Sequence, residues 1–151
     1  MIPLMGSVIV NMELSQQVAS LEIARRLKEL NVPQNAFWSW YETMDRDDTP
    51  RLNRTDENCP ACTLPTQKWE EKYSAFSVAE LGKILPWGIP EGNPTYTTLK
   101  ILKSDDGDNE GWIVVYDNKI GRSNQEGADT LADAMGKMLI HLIEAGILPT
   151  K

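Results

Sequence analysis

Cys59-Pro-Ala-Cys62 contains both cysteines of the chain, at the spacing of two ligands on one zinc ion. Structural zinc takes four thiolate or imidazole ligands in a tetrahedron, and besides these two the sequence offers only His141. A complete site therefore needs a second subunit, whose own Cys59 and Cys62 would bring the set to four thiolates. Redox chemistry of the thioredoxin kind wants this motif between a strand and a helix, whereas the flanks here are polar and proline-rich. Without a partner subunit the two thiols are inert loop residues. No other cofactor is expected.

The run Asp106-Gly-Asp-Asn-Glu-Gly-Trp-Ile-Val-Val-Tyr-Asp117 invites comparison with a calcium loop. It puts acidic side chains at ligand positions 1, 3, 5 and 12 and Gly111 at position 6. Glu110 at position 5 and Asp117 at 12 depart from that pattern, and the flanks read as strands. A hairpin loop needs polar and glycine residues on its own account, so a turn is the simpler reading.

His141 is the sole histidine and falls on the polar side of the last helix, with Asp133, Lys137 and Glu144 as helical neighbours. A catalytic base needs an orienting partner and a nucleophile within reach, and this spacing supplies neither. The phosphate-loop, dinucleotide, serine-elbow and zinc-protease patterns are all absent. The expectation is a binding protein and not an enzyme.

The aromatics point to binding surfaces. Five tryptophans stand at 38, 40, 69, 87 and 112. Most would fill the core, but Pro86-Trp-Gly-Ile-Pro90 reads as a rigid loop tip carrying Trp87 outward. A tryptophan so placed stacks a base or anchors a partner. Arg122, beside Gly121, offers a guanidinium fork for an anion. Trp87 and Arg122 are the candidate ligand-binding residues, and Cys59 and Cys62 the candidate metal pair.

The elements that must position these residues follow from periodicity. Ala19, Ile23, Leu27 and Leu30 form one helical stripe within Leu14 to Leu30. Asn31-Val-Pro33 stops this helix, because the residue before proline disfavours the helical region. Val18 and Leu21 fall among its charges, and Ile140 among those of the last helix. That surplus of apolar surface suits either cover by the N-terminal residues or a contact between subunits, and a homo-oligomer is expected. Phe37 to Tyr41 is a short aromatic strand. Residues 43–72 lose periodicity to prolines and acids and read as a long irregular excursion. Ser77-x-x-Glu80 is a capping box that opens a second helix ending at Pro86. Tyr96–Lys103, Trp112–Tyr116 and Lys119–Arg122 are strands of an antiparallel meander, with a tight turn at Asp117-Asn118. Ala128 to Ala145 is the last helix, with Gly146 as its left-handed terminator. The order α-β-α-β-β-β-α implies a single α+β domain over 1–151, a sheet of about four strands with three helices. Residues 1–12 read as a short strand or a disordered extension.

Composition narrows the partners. A net charge of -7 and scattered basic residues exclude nucleic acid, which needs clustered Lys and Arg. An apolar share of 41% and a mean hydropathy of -0.38 are those of an ordinary globule. No stretch is long and apolar enough to span a bilayer, and the N-terminus lacks the basic front of a signal peptide. The expected location is the cytosol.

Three segments carry a family resemblance. Tyr73-Ser-Ala-Phe-Ser-Val-Ala-Glu-Leu-Gly-Lys-Ile-Leu-Pro86 resembles the signature S-A-F-[ST]-V-A-E-L-G-x-x-L-P of small proteins encoded by phages, prophages and related mobile elements. Ala132-Asp-Ala-Met-Gly-Lys-Met-Leu-Ile-His-Leu-Ile-Glu-Ala-Gly146 is similar to that family's closing helix, and Val18 to Gln34 to its opening one. The resemblance implies a setting, the cytosol of an infected host. In that setting the expected function is that of an accessory protein that antagonises host defence, by sequestering a signalling nucleotide or by blocking a host protein. A structural or regulatory assembly protein and a small enzyme of unfamiliar mechanism are the alternatives.

Overall fold

The computed structural model describes residues 13–43, 50–54, 69–90, 96–106, 109–118 and 121–149. Its elements are α1 (Leu14–Gln17), α2 (Leu21–Glu29), β1 (Trp38–Thr43), β2 (Arg51–Arg54), β3 (Trp69–Ser74), α3 (Val78–Ile84), β4 (Gly88–Pro90), β5 (Tyr96–Asp106), β6 (Asn109–Asn118), β7 (Gly121–Ala128) and α4 (Leu131–Glu144). The fold is α+β. Its strands make two antiparallel sheets, one ordered β2-β1-β3 and one β4-β5-β6-β7.

The first helix does not run unbroken from Leu14 to Leu30. Val18 leaves the helical region at φ -123° and ψ 161° and forms a bridge with Ser77, while Ala19 N–H donates to Phe76 O at 2.8 Å. Val18 and Ala19 thus pair with the signature segment, and Val18 turns inward, where it is fully buried. Sequence periodicity placed Val18 among charges only because it assumed one continuous helix. Leu21 is half-buried at the start of α2, and half-buried Ile140 packs on the core, so the surplus apolar surface is smaller than the wheel implied.

Asn31 ends α2, two residues before the proline. It adopts φ 61°, its N–H meets Lys28 O at 3.0 Å, and Val32 N–H reaches Leu27 O at 3.0 Å. Asparagine tolerates this left-handed conformation better than most residues, and the two bonds close the helix end. Gly146, at φ 74°, closes α4 the same way, with Ile147 N–H on Leu142 O at 2.9 Å.

The four-stranded sheet takes β4 as its fourth member, not the aromatic strand β1. β1 instead pairs with β2 and β3, both drawn from the segment read as irregular. Asp117 and Asn118 are the last residues of β6 and pair with Arg122 and Gly121, so they are strand residues and not the tight turn expected there. Asp106 pairs with Asn109, so the described residues of the calcium-loop run belong to two paired antiparallel strands, β5 and β6.

α4 lies at the centre. One side packs on β6 and β7, the other meets α2 and α3. Ala132, Ala134, Met135, Gly136, Met138, Leu139 and Leu142 are all buried on it, a wider arc than one sheet contact needs. All of them but Gly136 join Leu27, Phe76, Leu81, Val114 and Tyr116 in one apolar cluster. Among the described residues no helix is long and apolar enough to cross a membrane.

Candidate functional site

The segment from Ser77 to Pro90 builds the most prominent surface feature. Ser77 accepts from Glu80 N–H at 3.3 Å, and Glu80 returns a carboxylate oxygen to Ser77 N–H at 2.8 Å, completing the capping box. The other oxygen of Glu80 accepts from Phe37 N–H at 2.8 Å, which fastens the entry of β1 to the same helix start. The cap is thus a joint between elements, with Ala75 and Phe76 buried just before it.

Past α3 the chain is pinned residue by residue. Leu85 is buried, the hydroxyl of Tyr116 donates to Pro86 O, and Leu99 N–H donates to Trp87 O at 2.9 Å. Ile89 is buried, and Gly88, Ile89 and Pro90 pair with Thr98, Thr97 and Tyr96. Desolvation pushes the Tyr116 phenol up to about 12, so at neutral pH it remains a neutral donor. Between these anchors the indole of Trp87 stands 80% exposed. An aromatic ring of this size is mostly buried in folded proteins, and here the backbone beneath it is held on both sides.

Arg122 stands in the cross-strand row of Gly88, next to that of Trp87, whose own row runs through Leu99 and Tyr116 to Asn124. Gly88 pairs with Thr98, Thr98 with Asp117, and Asp117 with Arg122. Three strand spacings separate the ends of that row, about 14 Å at roughly 4.8 Å each. The two candidates therefore share one end of the sheet without being neighbours. Only the backbone of Arg122 is among what the structure describes.

Cys59 and Cys62 lie outside the described residues. Among those described, no group of three His, Cys, Asp or Glu side chains could hold a metal ion. His141 has a partner that helical spacing could not reveal: its Nδ1 lies 3.3 Å from a carboxylate oxygen of Glu126 on β7. Its helical neighbours are likewise engaged elsewhere. Asp133 accepts from Ser20 N–H, Lys137 donates to Gly127 O at 3.1 Å, and Glu144 pairs with Arg26.

Sequence reasoning missed a cleft of about 520 Å³ whose lining includes Trp38, Trp112, Val18, Val78 and Leu131. Its two indoles come from different sheets and meet only in the fold. A second, more polar cleft of about 390 Å³ runs past Ser104, Gly127, Asp129, Asp133 and Lys137. An apolar groove of about 190 Å³ lies between Val32, Ile84, Leu139 and Leu148. None of these clefts includes Trp87 or His141. No protein-family model, no curated protein and no solved structure matches this chain.

Proposed function

We propose that this protein is a phage-type accessory binding protein of the host cytosol, one that antagonises host defence by blocking a host protein. The observation that carries the reading is Trp87, an exposed indole on a backbone fixed by Tyr116, Leu99 and β4. A ring presented this way loses little conformational freedom on docking, which is what an interface anchor requires. Among the described residues the indole lines none of the clefts named above. A protein surface brings an enclosing wall with it. The setting rests on the likeness of residues 73–86 and 132–146 to the phage and prophage signature. The reading is of a binder and not of an enzyme.

A second reading, sequestration of a signalling nucleotide, draws support from the place of Arg122 at the far end of the cross-strand row that begins at Gly88, the residue next to Trp87. A separation of about 14 Å suits a ligand whose base and phosphate lie far apart, such as a dinucleotide, better than a single nucleotide.

Affinity purification of tagged protein from host cells, with the parent and with Trp87→Ala, tests the first reading. One host protein in stoichiometric amount with the parent, reduced roughly 30-fold or more in affinity by Trp87→Ala, is expected, since anchor truncation costs about 2 kcal/mol or more. A nucleotide that raises the melting temperature of the parent and not of Trp87→Ala or Arg122→Ala would favour the second reading instead. Equal recovery of the same host protein by the parent and a folded Trp87→Ala would sink the first.

A further inference from the structure

β5 has eleven residues, and β4 covers only the first three, Tyr96 to Thr98. The bond from Leu99 N–H to Trp87 O fixes the sense of the ladder. Backbone groups alternate sides along a strand, so Ile101, Lys103 and Asp105 also aim their N–H and C=O away from β6. Among the described residues no strand lies beside this edge past Thr98. Ile101 and Leu102 on it are 42% and 39% exposed. An open edge that also shows large apolar side chains is a template for strand addition.

We infer that a second copy of this chain occupies the edge, its β5 antiparallel to the first across a twofold axis, so that the two four-stranded sheets continue as one. Charge complementarity favours this occupant. The edge reads Lys100-Ile-Leu-Lys-Ser-Asp-Asp106, basic in its first half and acidic in its second, so an antiparallel copy brings opposite signs together. Outward-facing positions must meet outward-facing positions, which leaves few registers. An axis at Lys103 sets that lysine against itself, and an axis at Asp105 sets two aspartates together, both unfavourable. An axis at Ile101 or at Leu102 brings Lys103 or Asp105, respectively, opposite Leu99, whose amide is already given to Trp87. An axis at Ser104 sets Lys103 opposite Asp105 twice, as two hydrogen-bonded pairs. The interface is isologous, as a twofold contact requires. It moves the expected subunit contact from Val18 and Leu21 to β5.

Light scattering on the intact chain at micromolar concentration should give twice 17.0 kDa. Lys103→Asp puts like charges opposite each other twice and should raise the dissociation constant at least tenfold. The double variant Lys103→Asp with Asp105→Lys restores opposite signs and should restore the dimer. Lys103→Pro removes an outward amide that β6 does not use, so the fold survives, checked by its melting curve, while the dimer dissociates. Any parent mass other than twice the chain overturns the inference. So does a Lys103→Asp variant that dimerises as tightly as the parent, or a double variant no tighter than Lys103→Asp. If Lys103→Pro fails to fold, the charge variants still decide.

Discussion

The backbone amide of Ser20 donates to Asp133 Oδ1 at 2.6 Å, joining the starts of two helices that are 113 residues apart in sequence. Ser20 is the N-cap of α2, yet its side chain makes no cap, and Asp133 sits in the first turn of α4 with its own amide on Thr130 Oγ1 at 3.2 Å. One carboxylate therefore stands near the positive ends of two helix dipoles. Farther along, Ile23 lies against Gly136 and Arg26 pairs with Glu144, so α2 and α4 run side by side in the same direction. Asp133→Ala should lower stability by about 1.5–3 kcal/mol, the usual worth of a hydrogen bond to a charged group. Asp133→Asn, which keeps an acceptor, should cost less. Denaturant unfolding of the three proteins measures both.

Gly136 sets how closely those two helices approach. A Cβ at this position would stand nearer to Ile23 Cγ2 than two carbon atoms can approach. That methyl is a branch next to the backbone and cannot swing aside as a long side chain would. The helix preference for alanine, about 1 kcal/mol, opposes the clash but does not outweigh it. Gly136→Ala should destabilise by about 1–3 kcal/mol. In the Ile23→Ala background, where the methyl is gone, the same change should cost much less or gain, and a double-mutant cycle reads the difference.

These contacts mark what the sequence could and could not disclose. Ser77 with Glu80, Gly146, and Leu99 on one face with Ile101 were legible because each rests on neighbours within a few residues. The break at Val18 was not, since the residues that draw it into extended backbone are Phe76 and Ser77. β2 and β3 were hidden by the prolines and acids around them, and Arg51-Leu-Asn-Arg54 is a strand only because β1 pairs with it. The exposure of Trp87 was anticipated, but the loop tip read at Pro86–Pro90 is from Gly88 onward the strand β4, which only its pairing with β5 could disclose. The Trp38–Trp112 cleft and the His141–Glu126 pair needed the fold, because periodicity carries no information between elements.

Alkaline pH should reveal Tyr116. Its phenol has an ordinary value of 10.0 when unfolded and about 12 in the fold, raised by desolvation. Between those values the folded state keeps a proton that the unfolded state has released, so stability falls as pH rises through that window. Its contribution is intact below about pH 10, and the loss approaches roughly 2–3 kcal/mol by pH 12. Tyr116→Phe has no proton to lose and should show a shallower decline over the same range. At neutral pH it should cost about 1 kcal/mol for the bond to Pro86.

Trp87 and Ile89 stand two residues apart and should respond in opposite ways to the same truncation. Ile89, the middle residue of β4, is buried in the core, and Ile89→Ala should cost about 2–5 kcal/mol through lost transfer energy and the cavity it leaves. Trp87 is 80% exposed and its carbonyl, not its ring, carries the bond to Leu99, so Trp87→Ala keeps every backbone anchor. Its stability should stay within about 0.5 kcal/mol of the parent. A melting temperature for Trp87→Ala depressed as far as that of Ile89→Ala would mean that the ring supports the fold. The proposed anchor would then have no free surface to offer. With stability unchanged, any binding that Trp87→Ala loses belongs to the indole itself.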